Sequence, residues 1–245
     1  MTATPEKLLA MRVGQTTVGD NIERAIRAGD VVEQADGKLT FAAAPAPRKN
    51  WVYVDHGPPL GCSFLMDFMF RRAYAEAAVP HGCRACYKVK VVPKTLRQLV
   101  AAWQIGERLQ CRSKWGIDFD NPHSPNLYAG YLYLSGLDGA RAAFKVVREA
   151  CDAEPKLGPD IALTIKRGCS DYEAALGPSD RYEFTPEMAE LEAYLKARFQ
   201  TPKKDERRYL VLAHWIDVAF RVGDETYLDF TGGRRRRAAT VAYPP

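Results

Sequence analysis

The sequence lacks the signatures of several large functional classes. It contains no phosphate-binding loop, no GxGxxG dinucleotide-binding pattern and no GxSxG nucleophile elbow. The CxxxCxxC pattern of radical adenosylmethionine enzymes is missing as well. No apolar run approaches the ~20 residues that a membrane-spanning helix needs. The sequence therefore gives no support for a nucleotide-dependent enzyme, a serine hydrolase or a membrane-spanning protein.

A secretory signal and a large excess of charge are also missing. Residues 1–7 show neither the basic start nor the apolar run of a signal peptide, so we expect a cytoplasmic location. The net charge is +5, but the arginine run at residues 234–237 supplies most of it. The rest of the chain is close to neutral, which argues against a basic surface over the whole fold.

Cysteine is present in a number that calls for an explanation. The chain contains six cysteines, at positions 62, 83, 86, 111, 151 and 169. In a reducing compartment, spaced cysteines indicate metal ligation or redox chemistry more than structural disulfides. Cys83 and Cys86 form a CxxC pair directly before an alternating run, which is half of a metal or redox site.

The hydrophobic periodicity of residues 86–169 predicts the order β-α-β-β-α-β. Alternation at residues 87–92, 113–119, 127–135 and 161–165 predicts strands, and helical spacing predicts helices at residues 95–110 and 137–153. This order is that of the split βαβ, or ferredoxin-like, sandwich. We therefore predict an α+β fold with a ferredoxin-like sandwich at residues ~86–169 and helical or strand extensions at both ends.

We predict three regions along the chain. Residues 1–47 read as a small helix–hairpin extension with an alanine- and proline-rich linker, and residues 48–232 as the main α+β domain. Residues 233–245 form a basic tail. In the main domain, residues 63–78 and 185–199 are predicted helices, residues 206–222 are either a helix or a strand pair, and residues 227–230 are a strand.

The predicted topology brings four thiols to one edge of the sheet. Right-handed crossovers place Cys83, Cys86, Cys111 and Cys169 together, because the first two strands start where the last two end. Cys169 should lie about 5 Å sideways from Cys86, since their strands are neighbours. The strand after Cys111 lies two places away, about 10 Å from the first, so Cys111 is the weakest of the four.

The other two thiols are expected to be less important. Cys151 lies on the buried face of a helix and should be a core residue. Cys62 is separated from Cys83 by a predicted helix about 24 Å long. It could replace Cys111 only if the loop at residues 57–61 folds back. We therefore expect an alanine at Cys111, and not at Cys62 or Cys151, to release metal.

Glycine precedes three of the thiols, in Gly61-Cys62, Gly82-Cys83 and Gly168-Cys169. A glycine allows the backbone to approach a ligand closely and to expose N–H groups to sulfur.

Four thiolates can hold a zinc ion or an iron–sulfur cluster. Structural zinc sites usually contain two close cysteine pairs, whereas this chain has one close pair and two distant single thiols. This spacing favours a [4Fe–4S] cluster over zinc. A lone redox pair, or thiols that are only packed in the core, would be the simpler interpretation.

The leading hypothesis is an iron–sulfur protein with a redox or cluster-assisted catalytic role. Its partner would be an electron donor or a small-molecule substrate, and binding by only three thiolates would leave one iron open to a substrate. The alternative is a zinc-stabilised nucleic-acid-binding module that uses the arginine run at residues 234–237 and the N-terminal helix–hairpin. No membrane partner is expected.

Overall fold

The computed structural model shows a mixed α+β architecture. It describes residues 3–43, 50–57, 60–119, 123–201 and 208–236. Residues 44–47 of the predicted linker and residues 237–245 of the predicted basic tail lie outside this set.

The strands of the described chain are short in the N-terminal part and longer in the middle. They are β1 (Arg12–Val13), β2 (Thr16–Thr17), β3 (Val31–Glu33), β4 (Leu39–Phe41), β5 (Trp51–Val54), β6 (Cys86–Val92), β7 (Ser113–Ile117), β8 (Tyr128–Ser135) and β9 (Ala162–Arg167).

The helices surround these strands. The α-helices are α1 (Pro5–Leu9), α2 (Val18–Arg27), α3 (Leu96–Arg108), α4 (Gly136–Asp152), α5 (Ser170–Leu176), α6 (Pro186–Arg198) and α7 (Arg208–Arg221). A π-helix covers Ser63–Ala73, and 3-10 turns cover His81–Cys83, Ser179–Arg181 and Glu225–Phe230. No helix among the described residues is both long and apolar enough to cross a membrane.

Five strands form one antiparallel sheet. Their order is β5-β7-β8-β6-β9, and each neighbouring pair is antiparallel. The predicted α+β class is confirmed. The sheet is one strand wider than the four strands of the predicted sandwich, because β5 pairs with β7. Gly116 permits this close approach, since a Cβ there would lie 1.9 Å from the carbonyl oxygen of Asn50.

The main core lies between one face of the sheet and helices α3, α4 and α7. Val89 and Trp115 from the sheet are fully buried against Leu99, Val147 and Trp215 from the three helices. Burial of such a side chain contributes ~1.5–3 kcal/mol each. The alternation that predicted the strands therefore reflects a sheet with one apolar face.

A second core joins the N-terminal extension to two helices of the predicted main domain. Leu8, Ile22 and Leu39 pack in one cluster with Phe68 of the π-helix and Leu191 of α6. The boundaries at residues 47 and 232 remain predictions.

The C-terminal part differs from the sequence prediction in one element. Residues 208–221 form a helix, which decides between the two alternatives for this segment. Glu225–Phe230, predicted to contain a strand, is a 3-10 turn. The side chain of Asp224 accepts hydrogen bonds from the N–H of Leu96 (2.6 Å), the hydroxyl of Tyr128 (2.9 Å) and the N–H of Thr226 (3.1 Å). These bonds fix the start of the turn against α3 and β8.

Candidate thiol site

Four cysteines line a single cavity of about 210 Å³. They are Cys62, Cys83, Cys86 and Cys169. Three of them were predicted to lie together, and the fourth is Cys62 where the sequence favoured Cys111. The cavity lies where the π-helix, the CxxC loop and the end of β9 meet.

A buried carboxylate holds the CxxC loop in place. Glu192 of α6 is 6% exposed, and it accepts hydrogen bonds from the N–H groups of His81 (2.5 Å) and Gly82 (2.8 Å). It also accepts a hydrogen bond from the hydroxyl of Tyr74 (3.0 Å). These bonds fix the 3-10 turn that carries Cys83, and Cys86 follows as the first residue of β6.

Cys169 lies beside Cys86, as the predicted pairing of their strands requires. The N–H of Gly168 donates to the carbonyl oxygen of Cys86 (2.9 Å), which extends the β6–β9 pairing by one bond. Gly168 then takes a left-handed conformation (φ +63°), which ends the strand and places Cys169 just before α5. Only glycine adopts this conformation without strain.

Cys62 reaches the cavity because the chain after the π-helix reverses direction. The π-helix ends at Ala73, before the predicted end at residue 78, and Ala75 (φ 46°) and Glu76 (φ 61°) form a turn. The chain then returns along the helix. A Cβ on Gly82 would lie 2.7 Å from Cδ2 of Leu65, three residues after Cys62. The predicted separation was wrong because it assumed a straight helix leading directly into Cys83.

One sequence signal does separate Cys62 from Cys111. The three cysteines that follow a glycine all line the cavity, whereas of the three that follow another residue only Cys86 of the CxxC pair does, and Cys111 and Cys151 do not. Gly61 and Gly168 both take left-handed conformations directly before their cysteines. The Gly-Cys pattern is therefore tied to sharp turns that aim thiols into the site.

Cys111 and Cys151 lie in other surroundings. The thiol of Cys111 donates only to the carbonyl oxygen of its neighbour Arg112 (3.8 Å), and the side chain packs against the main core. Strand β8 lies between β6 and β7, so the loop before β7 starts two strands away from Cys86. Cys151 is 1% exposed within the main core, as predicted.

Burial favours the protonated form of the thiols when no metal is bound. It raises the pKa of Cys86 to about 11, partly opposed by the nearby charge of Lys88. Burial also raises the pKa of Cys83 well above its usual range, although the hydroxyl of Tyr172, 3.3 Å from its sulfur, acts in the opposite direction. Binding of a metal by these cysteines as thiolates would therefore release the protons of the thiols.

A buried lysine lies against the thiols. Lys88 is 5% exposed, and its Nζ donates to Sγ of Cys169 at 3.0 Å. Burial alone would lower the pKa of Lys88, but the negative charges available on Cys169, Tyr133 and Cys86 raise it well above its usual value. No described carboxylate forms an ion pair with this ammonium group. The sulfur of Cys169 is thus the hydrogen-bond acceptor of this buried ammonium group, and it would compensate the charge only as a thiolate.

An apolar wall closes one side of the cavity. Phe70 of the π-helix packs edge-on against Tyr172 of α5 with ring centroids 4.6 Å apart, and Cys83 and Cys169 lie next to this pair. An apolar shell of this kind limits the access of water to a redox or metal site.

The acidic and histidine side chains near the thiols have partners of their own. Asp171 pairs with Arg71 (2.9 Å), and Glu173 pairs with Lys166 (3.0 Å). Nδ1 of His81 lies 3.2 Å from the guanidinium of Arg84.

Two of the three described arginines of the run at residues 234–237 form ion pairs. Arg235 contacts Glu225 (2.9 Å) and Arg236 contacts Asp217 (2.7 Å).

Among the described residues, no three side chains of His, Cys, Asp or Glu come close enough together to hold a single metal ion. In this conformation the four thiols are arranged around the cavity instead of converging on one point.

Comparisons with models of protein families, with curated proteins and with solved structures found no match to this chain.

Proposed function

We propose that the protein is an iron–sulfur protein whose [4Fe–4S]-type cluster is bound by Cys62, Cys83, Cys86 and Cys169. The observation that supports this most strongly is the set of four thiols around one cavity, with a buried ammonium group bonded to one of them. Cys62 takes the place that the sequence favoured for Cys111.

The charge of Lys88 is the physical reason to expect thiolates here. A buried ammonium without a negative partner costs several kcal/mol. Thiolates that ligate a metal keep their negative charge, and an anionic cluster complex would compensate Lys88. Protonated thiols alone would leave it uncompensated.

The spread of the thiols suits a cluster. A [4Fe–4S] cluster takes one thiolate at each of its irons, so its ligands surround a body several ångströms across. The ligands also come from three separate parts of the chain, the start of the π-helix, the CxxC loop and the turn between β9 and α5. With all four thiolates bound, the cluster has no open iron and serves electron transfer, which makes an oxidoreductase role the first choice.

The exposed position of Cys62 supports a catalytic role in which the cluster binds a substrate. Cys62 is exposed, whereas Cys83, Cys86 and Cys169 are partly buried. It is therefore the thiolate that exchanges most readily with a small-molecule substrate at one iron, as in a lyase or hydrolase.

We propose further that β6–α3–β7–β8–α4–β9 forms a ferredoxin-like sandwich. The strand order β7-β8-β6-β9, with antiparallel neighbours, supports it. A reducing, cytoplasmic location follows from the same proposal, because such a compartment keeps the thiols free for metal.

Anaerobic purification followed by analysis of iron, acid-labile sulfide and zinc tests the proposal. We expect a brown protein with about four irons and four sulfides per chain and a visible band that bleaches on reduction. A colourless protein that carries one zinc per chain and binds DNA or RNA in a salt-dependent manner would overturn it in favour of a nucleic-acid-binding module.

A further inference from the structure

Two side chains reach into the thiol cavity and contact sulfur. Nζ of Lys88 donates to Sγ of Cys169 at 3.0 Å, and the hydroxyl of Tyr172 lies 3.3 Å from Sγ of Cys83. A thiolate has no proton to give, so the hydroxyl is the donor of the second pair once Cys83 is ionised. Two of the four proposed ligands would therefore each accept a hydrogen bond from a side chain.

Two glycine N–H groups that precede these cysteines are bonded to oxygen. The N–H of Gly82 donates to Oε2 of Glu192 (2.8 Å), and the N–H of Gly168 donates to the carbonyl oxygen of Cys86 (2.9 Å). The sequence pattern suggested that such N–H groups would face sulfur, and at these two positions they do not. The side-chain donors are therefore the ones that can act on the thiolates of Cys83 and Cys169.

The ammonium group of Lys88 is held next to the sulfur by its surroundings. Lys88 precedes Val89, which is buried in the main core, so the lysine side chain points to the opposite face of the sheet. Its Nζ lies 5.2 Å from the ring centroid of Tyr133 and 5.9 Å from that of Tyr131, within the range of a cation–π interaction. The two rings and the sulfur of Cys169 thus enclose a positive charge on a residue that is only 5% exposed.

A donor next to a ligating sulfur favours the reduced form of an iron–sulfur cluster. Reduction adds one electron, and hence one negative charge, and requires no change in the bonds of the protein. A hydrogen bond or a positive charge at the sulfur stabilises that added charge and raises the reduction potential. A charged donor forms a hydrogen bond roughly twice as strong as a neutral donor does, and a buried charge is screened little by salt.

We propose that Lys88 raises the reduction potential of the cluster by donating a charged hydrogen bond to Cys169, and that Tyr172 adds a smaller effect through Cys83. Both residues act through the ligating sulfurs and position no substrate. The inference rests on the proposed function, because it concerns the [4Fe–4S]-type cluster of the same cavity. It also restricts the partner, since a one-electron donor can be a weaker reductant than the cluster would need without Lys88.

A redox titration of the anaerobic, cluster-loaded full chain with dithionite measures the midpoint potential. We expect Lys88→Met to lower the ratio of reduced to oxidised cluster at a fixed ambient potential by about tenfold, which is about 59 mV for a one-electron couple. Tyr172→Phe should lower the midpoint potential by less, because it removes a neutral donor. Lys88→Arg keeps a charged donor and should restore most of the wild-type value.

Lys90→Met is the matched control. Lys90 lies on the same strand and the same face as Lys88, two residues further along, and its Nζ donates to Oγ of Ser124 (3.3 Å). The substitution removes the same charge without removing a bond to sulfur, so the midpoint potential should change much less than in Lys88→Met. An unchanged potential in Lys88→Met, or an equal shift in Lys90→Met, would overturn the inference.

Iron and acid-labile sulfide are measured on every sample. Lys88→Gln replaces Lys88→Met if the methionine variant does not retain its cluster, and because glutamine keeps a neutral donor we then expect a smaller downward shift. A wild type without iron and sulfide would overturn the proposed function and this inference together. A wild-type cluster whose potential does not respond to substitution of Lys88 would overturn this inference alone.

Discussion

At the scale of single residues, the site is defined by what each thiol touches. Cys169 accepts a hydrogen bond from a buried ammonium, Cys83 contacts the hydroxyl of Tyr172, and Cys62 is exposed at the start of the π-helix. Cys111 packs against the main core, and its thiol donates to the carbonyl oxygen of its neighbour Arg112. The residue type is the same in every case, and the surroundings decide which thiols can act as ligands.

Alanine at Cys62 should affect metal binding, and alanine at Cys111 should not. We expect Cys62→Ala to lower the iron retained after anaerobic reconstitution, because it removes one of the four proposed ligands. Cys111→Ala is the matched control and should retain the iron content of the wild type. This reverses the order favoured by the sequence. Iron loss in Cys111→Ala, with retention in Cys62→Ala, would show that the cavity does not hold the metal.

Cys151 should make the stability of the protein depend on pH in the alkaline range. Burial raises the pKa of Cys151 to about 11, whereas an unfolded thiol titrates near ~8.5. The folded state thus holds its proton more tightly. The resulting stability is fully present below about pH 8.5 and is lost as pH rises towards 11, by at most ~1.4 kcal/mol per pH unit.

Urea unfolding of the wild type and of Cys151→Val between pH 8 and 11 measures this contribution. Valine fills the same apolar site without a titrating group, so the variant should lose less stability over this range. Parallel pH profiles for the two proteins would contradict the assignment.

At the scale of elements, the site depends on the return of the chain along the π-helix. The helical spacing of Phe64, Phe68 and Met69 predicted a helix, and these side chains are indeed buried in it. Its hydrogen-bond pattern and its end at Ala73 were not predictable, because π-helices share the residue preferences of α-helices. Left-handed conformations at Ala75 and Glu76 also leave no signal in a sequence, since neither is a glycine.

The strands of the sheet were easier to predict than the turn near the C-terminal end. Val89 and Val91 alternate with lysines, and this period-two pattern specifies both a strand and its buried face. Tyr227 and Leu228 have the composition of a strand but lie in a 3-10 turn, since the capping by Asp224 is a tertiary interaction. Local composition could not reveal that interaction.

Glu192 should be essential to the CxxC loop. Glu192→Ala removes the acceptor for two backbone N–H groups and for the hydroxyl of Tyr74. We expect a loss of about 2–4 kcal/mol in the free energy of unfolding, because buried donors are left unpaired. Urea titration measures it.

Glu190→Ala is the matched control, since Glu190 lies on the exposed side of the same helix. Equal stabilities of the two variants would show that Glu192 does not hold the loop.

At the scale of the whole molecule, the thiol cavity connects the two halves of the structure. Cys62 begins the π-helix, whose side chains belong to the core around the N-terminal extension. Cys86 begins β6, which belongs to the sheet and the main core. A cluster bound by both would link the two cores covalently through metal–sulfur bonds.

Removal of the proposed cluster should therefore destabilise the entire chain. We expect the melting temperature of the anaerobic, cluster-loaded protein to exceed that of the protein after treatment with an iron chelator, since ligand bound only by the folded state stabilises it. Differential scanning calorimetry under anaerobic conditions measures the difference. Identical melting temperatures, with iron present only in the untreated sample, would indicate that the iron is not bound at the junction of the two cores.

Anomalous diffraction at the iron edge, from crystals grown anaerobically, tests the central claim most directly. The predicted result is one compact anomalous peak of about four irons, within bonding distance of the sulfurs of Cys62, Cys83, Cys86 and Cys169. No anomalous peak in the cavity, or a peak ligated by Cys111, would contradict it.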